Sequence, residues 1–370
     1  MSWVLTILGI VLLIVLHELG HFAVAKAVGM RVERFSLFFP PKLFGFKRGE
    51  TEYVVGAIPA GGYVKITGMN PEELGQLDPE AARRAYYAQP PWKRIAVIVA
   101  GPAVNLLIAF VLFTGVLLSG NLNGAETLAN LHPATQTVQS TDTVHEVEHG
   151  QPAAAALRAG DRIVAIEGHD ARSAEQVRES IASHRCARAQ TDGCAATSPV
   201  RLTVLRDGRP VALSVVPRYN AALARMELGF EFGLRAKHFG LFSAAGAAVD
   251  EMWGVTTQTV TSIGHAFTSE KVRKEFHSIV GITQIAHETV AAGAGYALVF
   301  LGFISLILAV LNMFPFLPLD GGHVLWAVAE KVRGRRISLA SMYRFSSVGI
   351  VLLVFLVLNG LSNDIGRLAG

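Results

Sequence analysis

The chain has 370 residues, 51% of them hydrophobic and 17% charged, and its mean hydropathy is +0.40. A soluble domain is about a quarter charged, so a large share of this chain belongs in lipid. The net charge of +4 does not indicate a nucleic-acid partner, because no compact basic patch with interleaved aromatics accompanies it.

Trp3 to Val28 reads as the first membrane span. Its run from Val4 to Leu16 has no basic residues before it and no small-x-small cleavage site after it, so it does not read as a removable signal peptide. His17, Glu18 and His21 interrupt the run, and apolar character resumes from Phe22 to Val28. Ionisable residues within a span are functional suspects by default. Arg31 to Gly68 then shifts to alternating, β-branched and aromatic sequence. Glu52 to Ile58 and Gly62 to Ile66 read as the strands of a membrane-associated β-hairpin. Asn70 to Lys93 is polar and carries Pro71, Pro79, Pro90 and Pro91, the mark of a surface connection. Trp92, Lys93 and Arg94 suit an interfacial anchor ahead of a second span, Ile95 to Leu118.

Residues 127–235 read as one soluble α+β insert, ordered helix, strand, helix and hairpin, with Asp207-Gly208 at the hairpin turn. Residues 236–295 are amphipathic. Phe242, Ala245, Val249, Trp253, Thr256 and Val260 recur at helical spacing, which suggests packing on the membrane surface or beneath the insert. A third span follows from Ala297 to Phe316, and a shorter fourth from Ser346 to Leu361. The expected fold is therefore an α-helical polytopic membrane protein with about four transmembrane helices. Its parts are an N-terminal membrane core (1–126), the insert (127–235), the amphipathic segment (236–295) and a C-terminal membrane core (296–370).

Charge sets the expected orientation. Lys26, at the end of span one, and Arg31, Arg34, Lys42, Lys47, Arg48, Lys93 and Arg94 cluster between spans one and two; Lys331, Arg333, Arg335, Arg336 and Arg344 lie between spans three and four. Both loops should face the cytoplasm, with the insert and both termini outside.

His17-Glu18-Leu19-Gly20-His21 is an H-E-x-x-H motif. On a helix, histidines at i and i+4 share a face and can reach one zinc ion, while the glutamate between them serves as base toward an activated water. The alternative is a pair of packing histidines, but three ionisable groups in one turn of a span are costly without a partner. Zinc needs a third protein ligand and an open position. Asp320, at the end of Asn312-Met-Phe-Pro-Phe-Leu-Pro-Leu-Asp, is the clearest candidate. Spans one and three run in the same direction, so the histidines and Asp320 reach similar depth, toward the cytoplasmic side. The competing readings are a helix-capping aspartate in a Pro-Gly turn and a ligand role for His323, which is favoured instead as a supporting residue.

The chain resembles the site-2 protease family of intramembrane zinc metalloproteases, in particular the bacterial regulator of sigma-E protease branch. The resemblance rests on H-E-L-G-H, Gly56-Ala-Ile-Pro-Ala-Gly-Gly-Tyr-Val-Lys, Ala100-Gly-Pro-Ala-Val-Asn, Ser278-Ile-Val-Gly-Ile-Thr-Gln and the Asn312 to Gly322 segment, in that order. Leu157-Arg-Ala-Gly-Asp-Arg-Ile-Val-Ala-Ile makes the insert similar to a PDZ domain. The resemblance implies one zinc ion and a bacterial inner-membrane location. It also implies cleavage of single-pass membrane proteins in or near the bilayer, after another protease has shed their outer part; an anti-sigma factor or a signal-peptide remnant would be such a substrate. It further implies that Asn312 and Pro315 hold an unwound substrate backbone and that Asn105 sits near the site. Leu317 stands where the family usually has proline, which bears on the local turn.

Helical peptide bonds are shielded because their carbonyls are already hydrogen bonded. A sheet edge between Glu52 and Ile66 would unwind a substrate by β-addition. Two rival classes remain. A membrane-anchored PDZ scaffold would tolerate loss of Glu18 and Asp320, yet both are present. An ion or metal transporter usually shows an internal repeat, and none is apparent. Cys186 and Cys194, the only cysteines, flank a polar stretch of the insert. An oxidising exterior favours a disulfide between them; unpaired loop thiols are the alternative.

Overall fold

In a computed structural model, residues 2–131, 136–266, 268–270, 274 and 279–369 are described; Ser278 of the fourth resemblance motif lies outside them. The chain forms two compact units, Met1–Thr135 with Phe239–Gly370, and Gln136–His238.

In the first unit, α1 (Ser2–Ala27) is apolar on nearly all sides, as a helix surrounded by lipid or protein must be. A short α2 (Pro79–Arg83) is capped by Asp78, whose side chain accepts from the Ala81 amide. α3 (Pro91–Ser119) opens with proline at its first position and closes on Gly120 at φ 63°. Those are the termini at which each residue costs least. Pro102 lies inside α3 and removes one helical hydrogen bond there. After α4 (Leu122–Leu131) and the second unit come α6 (Leu241–His265), α7 (Ile279–Ala292), α8 (Ala294–Asn312), α9 (Asp320–Arg333) and α10 (Leu339–Ala369).

Among the described residues three helices are long and apolar enough to cross a membrane: Val4–Ala27, Pro91–Ser119 and Ala294–Asn312. Ser346 to Leu361 falls within α10. The third apolar helix stops at Asn312, short of the expected Phe316. Pro315 and Pro318 lack amide donors and disfavour helix in the residue before each, so the chain turns before α9 begins. α6 buries Ala244, Ala248 and Val255 with Ala109 and Phe113 of α3 and Val299 and Leu306 of α8, so the amphipathic segment shares a core with two of the apolar helices.

β1 (Val32–Arg48) and β2 (Thr51–Ile66) form a sheet of their own. Its pairing differs from the expected hairpin. Phe35 lies beside both Tyr53 and Val64, and Leu37 beside both Val55 and Gly62. The stretch from Val32 to Leu37 therefore separates the two segments expected to pair with each other, and Gly62 to Ile66 becomes an edge.

The second unit holds a six-stranded sheet built from β3 (Val138–Val147), β4 (Arg162–Ile166), β5 (His169–Asp170), β6 (Val200–Arg206), β7 (Arg209–Val215) and β10 (Phe230–Ala236). The main path runs β10-β3-β4-β6-β7, with β5 beside β4. Asp207 (φ 52°) and Gly208 (φ 77°) make the two-residue turn between β6 and β7, both in the left-handed conformation that such turns require. α5 (Ala174–Ala182) is capped by Ser173 and buries Val177 and Ile181 against Ile163, Leu202 and Phe232. Asp161 is 1% exposed and accepts from Arg206 at 2.7 and 2.8 Å and from the Arg158 amide at 2.9 Å. Hydrogen bonds from the Arg206 guanidinium hold its carboxyl below the usual range. β8 (Arg218–Asn220) and β9 (Arg225–Glu227) form a small separate ribbon. Cys186 and Cys194 are joined by a disulfide across a Cα separation of 6.1 Å.

Candidate metal centre

Helical spacing puts His17 and His21 on one side of α1, where both are buried. Their Nε2 atoms stand 3.2 Å apart, and each lies 3.3 Å from Oδ2 of Asp320, the first residue of α9. Among the described residues these are the one group of His, Cys, Asp and Glu side chains gathered closely enough to hold a metal ion. Zinc bonds of about 2.0–2.1 Å at tetrahedral angles require ligand atoms about 3.3 Å apart. The observed spacings match on every side of the triangle. Asp320 Oδ2 is buried and makes no well-formed hydrogen bond, its polar neighbours being the two imidazole Nε2 atoms, an arrangement that a metal between the three atoms would satisfy. His21 Nδ1 lies 2.8 Å from the Val97 carbonyl oxygen. With its proton directed there, Nε2 presents a lone pair to the cluster.

Close backbone packing builds this triangle. A Cβ on Gly20 would lie 2.6 Å from the Ala100 carbonyl oxygen, and one on Gly101 would lie 2.3 Å from His21 Nε2. α1 and α3 therefore touch where only glycine fits. The Asp-Gly-Gly sequence has a similar cause. A Cβ on Gly321 would meet the Met313 carbonyl oxygen at 2.2 Å, and one on Gly322 the Leu317 nitrogen at 2.5 Å. The turn between α8 and α9 is thus folded down onto the first turn of α9, and this brings Asp320 to the histidines.

Glu18 projects toward the sheet edge: a Cβ on Gly62 would lie 2.9 Å from Glu18 Cγ. The tip of the sheet is anchored by Glu50, which accepts from Arg84 at 2.7 and 2.8 Å and also pairs with Lys26. At the other end of α9, Glu330 pairs with Arg94 of α3 at 2.6 Å, both side chains being 6% exposed.

A model of peptidase family M50 matches residues 5–356. The chain belongs to this family. It is 33% identical to zinc metalloprotease Rip1 of Mycobacterium tuberculosis, over 89% of this chain and 86% of that one. It is 31% identical to zinc metalloprotease Rip1 of Mycolicibacterium smegmatis over the same shares. The chain is accordingly a zinc metalloprotease of the site-2 type.

The remaining expected site residues stand outside the ligand triangle. Asn105 follows Gly101 by one turn of α3, is wholly buried, and neither of its side-chain polar atoms has a hydrogen-bond partner among the described residues. Its backbone carbonyl accepts from Ser305 Oγ at 2.9 Å. Asn312 ends α8. Pro315 lines an apolar cavity of about 760 Å³ bordered by Leu107, Trp253 and Val310. His323 is absent from the ligand group, and its ring faces Tyr86 at 6.2 Å between centroids. Sequence reasoning missed the Val97 carbonyl, the Gly62 contact and the Arg94–Glu330 pair. The glycines at 62 and 101 were visible signals, but their partners lie too far away in sequence to be named.

Proposed function

We propose that this M50 metalloprotease cleaves single-pass membrane proteins in or near their transmembrane segments, with zinc held by His17, His21 and Asp320 and Glu18 as general base. The observation that supports this most is the buried triangle formed by Asp320 Oδ2 and the two imidazole Nε2 atoms, where two apolar helices meet α9.

Zinc at such a site polarises the scissile carbonyl and acidifies a water. The chain's own residues do the rest. Glu18 takes the proton of the attacking water and delivers it to the leaving amine. The edge from Gly62 to Ile66 passes beside Glu18. An unwound substrate added to that edge would present its backbone to the base, with side chains on alternate faces. Asn105, with its unsatisfied buried amide, and Asn312 and Pro315 complete the backbone-holding set. The apolar cavity beside Pro315 suits the substrate's still-helical part.

The wider reading is a multi-pass protein of the bacterial inner membrane, with α10 as a fourth span. The unit Gln136–His238 is a PDZ-like domain facing outward, and the metal site lies toward the cytoplasmic side. Substrates arrive already trimmed by a site-1 protease, and anti-sigma factors fit that description. Co-expression of the chain with single-pass anti-sigma factors of its organism tests this. The wild type should shorten one of them and Glu18→Gln should not. Equal processing by both would refute the assignment.

A further inference from the structure

The far end of α9 forms a surface that peptide hydrolysis does not use. Lys331 and Arg333 lie in its last turn, and Arg335 and Arg336 follow Gly334. Lys331, Arg333 and Arg335 are exposed and make no ion pair among the described residues. Between them Val332 is 80% exposed, and Val328, one turn earlier on the same stripe, is 42% exposed.

This end is fixed to the start of α3 and to the connection that precedes it. Glu330 pairs with Arg94, two residues beyond Trp92, which is 59% exposed and carries Lys93 Nζ 5.7 Å from its ring. Arg336 donates to the Tyr87 carbonyl at 3.1 Å, and Tyr87 Oη lies 3.9 Å from Met342 Sδ in α10. Cations, a tryptophan and exposed valines therefore lie on elements that are joined at the start of α3. In water the valines would be unfavourable; at a bilayer interface this mixture is the favoured one.

We propose that Lys331, Arg333 and Arg335 seat the phosphates of anionic phospholipids, with Val328, Val332 and Trp92 at the acyl boundary. An acidic soluble protein would satisfy the cations but not the apolar groups among them. The inference rests on the membrane reading of α3 but not on proteolysis. Because α9 begins with Asp320 and ends in this patch, bound lipid would brace the helix that carries the acidic member of the metal triangle.

The full chain, purified in detergent, can be titrated with phosphatidylglycerol or phosphatidylcholine and the bound lipid counted by native mass spectrometry. Wild type should retain phosphatidylglycerol in preference, and Lys331→Gln/Arg333→Gln/Arg335→Gln should lose that preference, at roughly fivefold per charge. Single substitutions should give graded losses, which keeps the test readable if the triple variant folds poorly. Inorganic phosphate should not displace the lipid. Equal retention of the two lipids by wild type, an unchanged preference in the variants, or displacement by inorganic phosphate would each overturn the proposal. Lipid counts do not depend on turnover, so a failure here is distinguishable from a failure of the protease reading.

Discussion

His21 Nε2 and Asp320 Oδ2 approach to 3.3 Å although they belong to helices at opposite ends of the sequence. Two features make that approach possible: the glycine contact between α1 and α3, and the turn that folds back onto the start of α9. The first of these is directly testable. Gly101→Ala would place a methyl 2.3 Å from His21 Nε2, so the imidazole must move. Zinc affinity should fall by about tenfold or more, measured by competition with a chromogenic chelator, while helix content stays unchanged. Wild-type affinity in this variant would show that the ring has room to spare.

The Arg94–Glu330 pair fixes α9 to α3 in a buried setting. Glu330→Gln leaves a buried guanidinium without its counter-charge and should destabilise the first unit by about 3–5 kcal/mol. Replacing both partners, as in Arg94→Met/Glu330→Leu, should recover much of the loss, because an apolar pair owes no desolvation penalty. Thermal midpoints of the detergent-solubilised proteins decide this. A double variant less stable than Glu330→Gln would mean that the stacking of Arg94 over Tyr86 and Tyr87 matters more than its charge pairing.

In the second unit, Asp161 has a carboxyl pKa below its ordinary 3.8, chiefly through hydrogen bonds from Arg206. A folded-state pKa below the unfolded one means stability that is fully present above 3.8 and is lost as pH falls through the lower folded value. Asp161→Asn should cost about 2–3 kcal/mol at neutral pH, and the gap between variant and wild type should shrink below pH 3.8. Urea unfolding of the isolated second unit (136–238) at several pH values, followed by circular dichroism, measures it. A gap that stayed constant down to the most acid condition would contradict the linkage.

The trio proposed to hold the metal was legible in the sequence because chemistry fixes its spacing: His17 and His21 share one helical face, and Asp320 is a carboxylate beside an apolar helix. The tight hairpin at Asp207-Gly208 was legible for a similar reason, since its turn demands left-handed residues. What stayed hidden was non-local. Glu52 to Ile58 and Gly62 to Ile66 both alternate as strands, and nothing in that alternation says that Val32 to Leu37 lies between them. The end of the third apolar helix was misplaced because hydrophobicity continues through Phe314 and Phe316, while the prolines at 315 and 318 end the helix at Asn312. The contact of Gly62 with Glu18 depends on that same sheet topology and could not be read before it.

The proposed site consists of one base and three ligands, and zinc content measured beside cleavage tests that division of roles. Purified wild type should hold one zinc ion per chain and cut a validated substrate. Glu18→Gln should keep the zinc and lose cleavage, with a fall of at least about 100-fold. His17→Ala, His21→Ala and Asp320→Ala should each lose both, because a three-ligand site cannot spare one. Full zinc occupancy and activity in Asp320→Ala would place the third ligand elsewhere, and cleavage at the wild-type rate by Glu18→Gln would rule out Glu18 as the base.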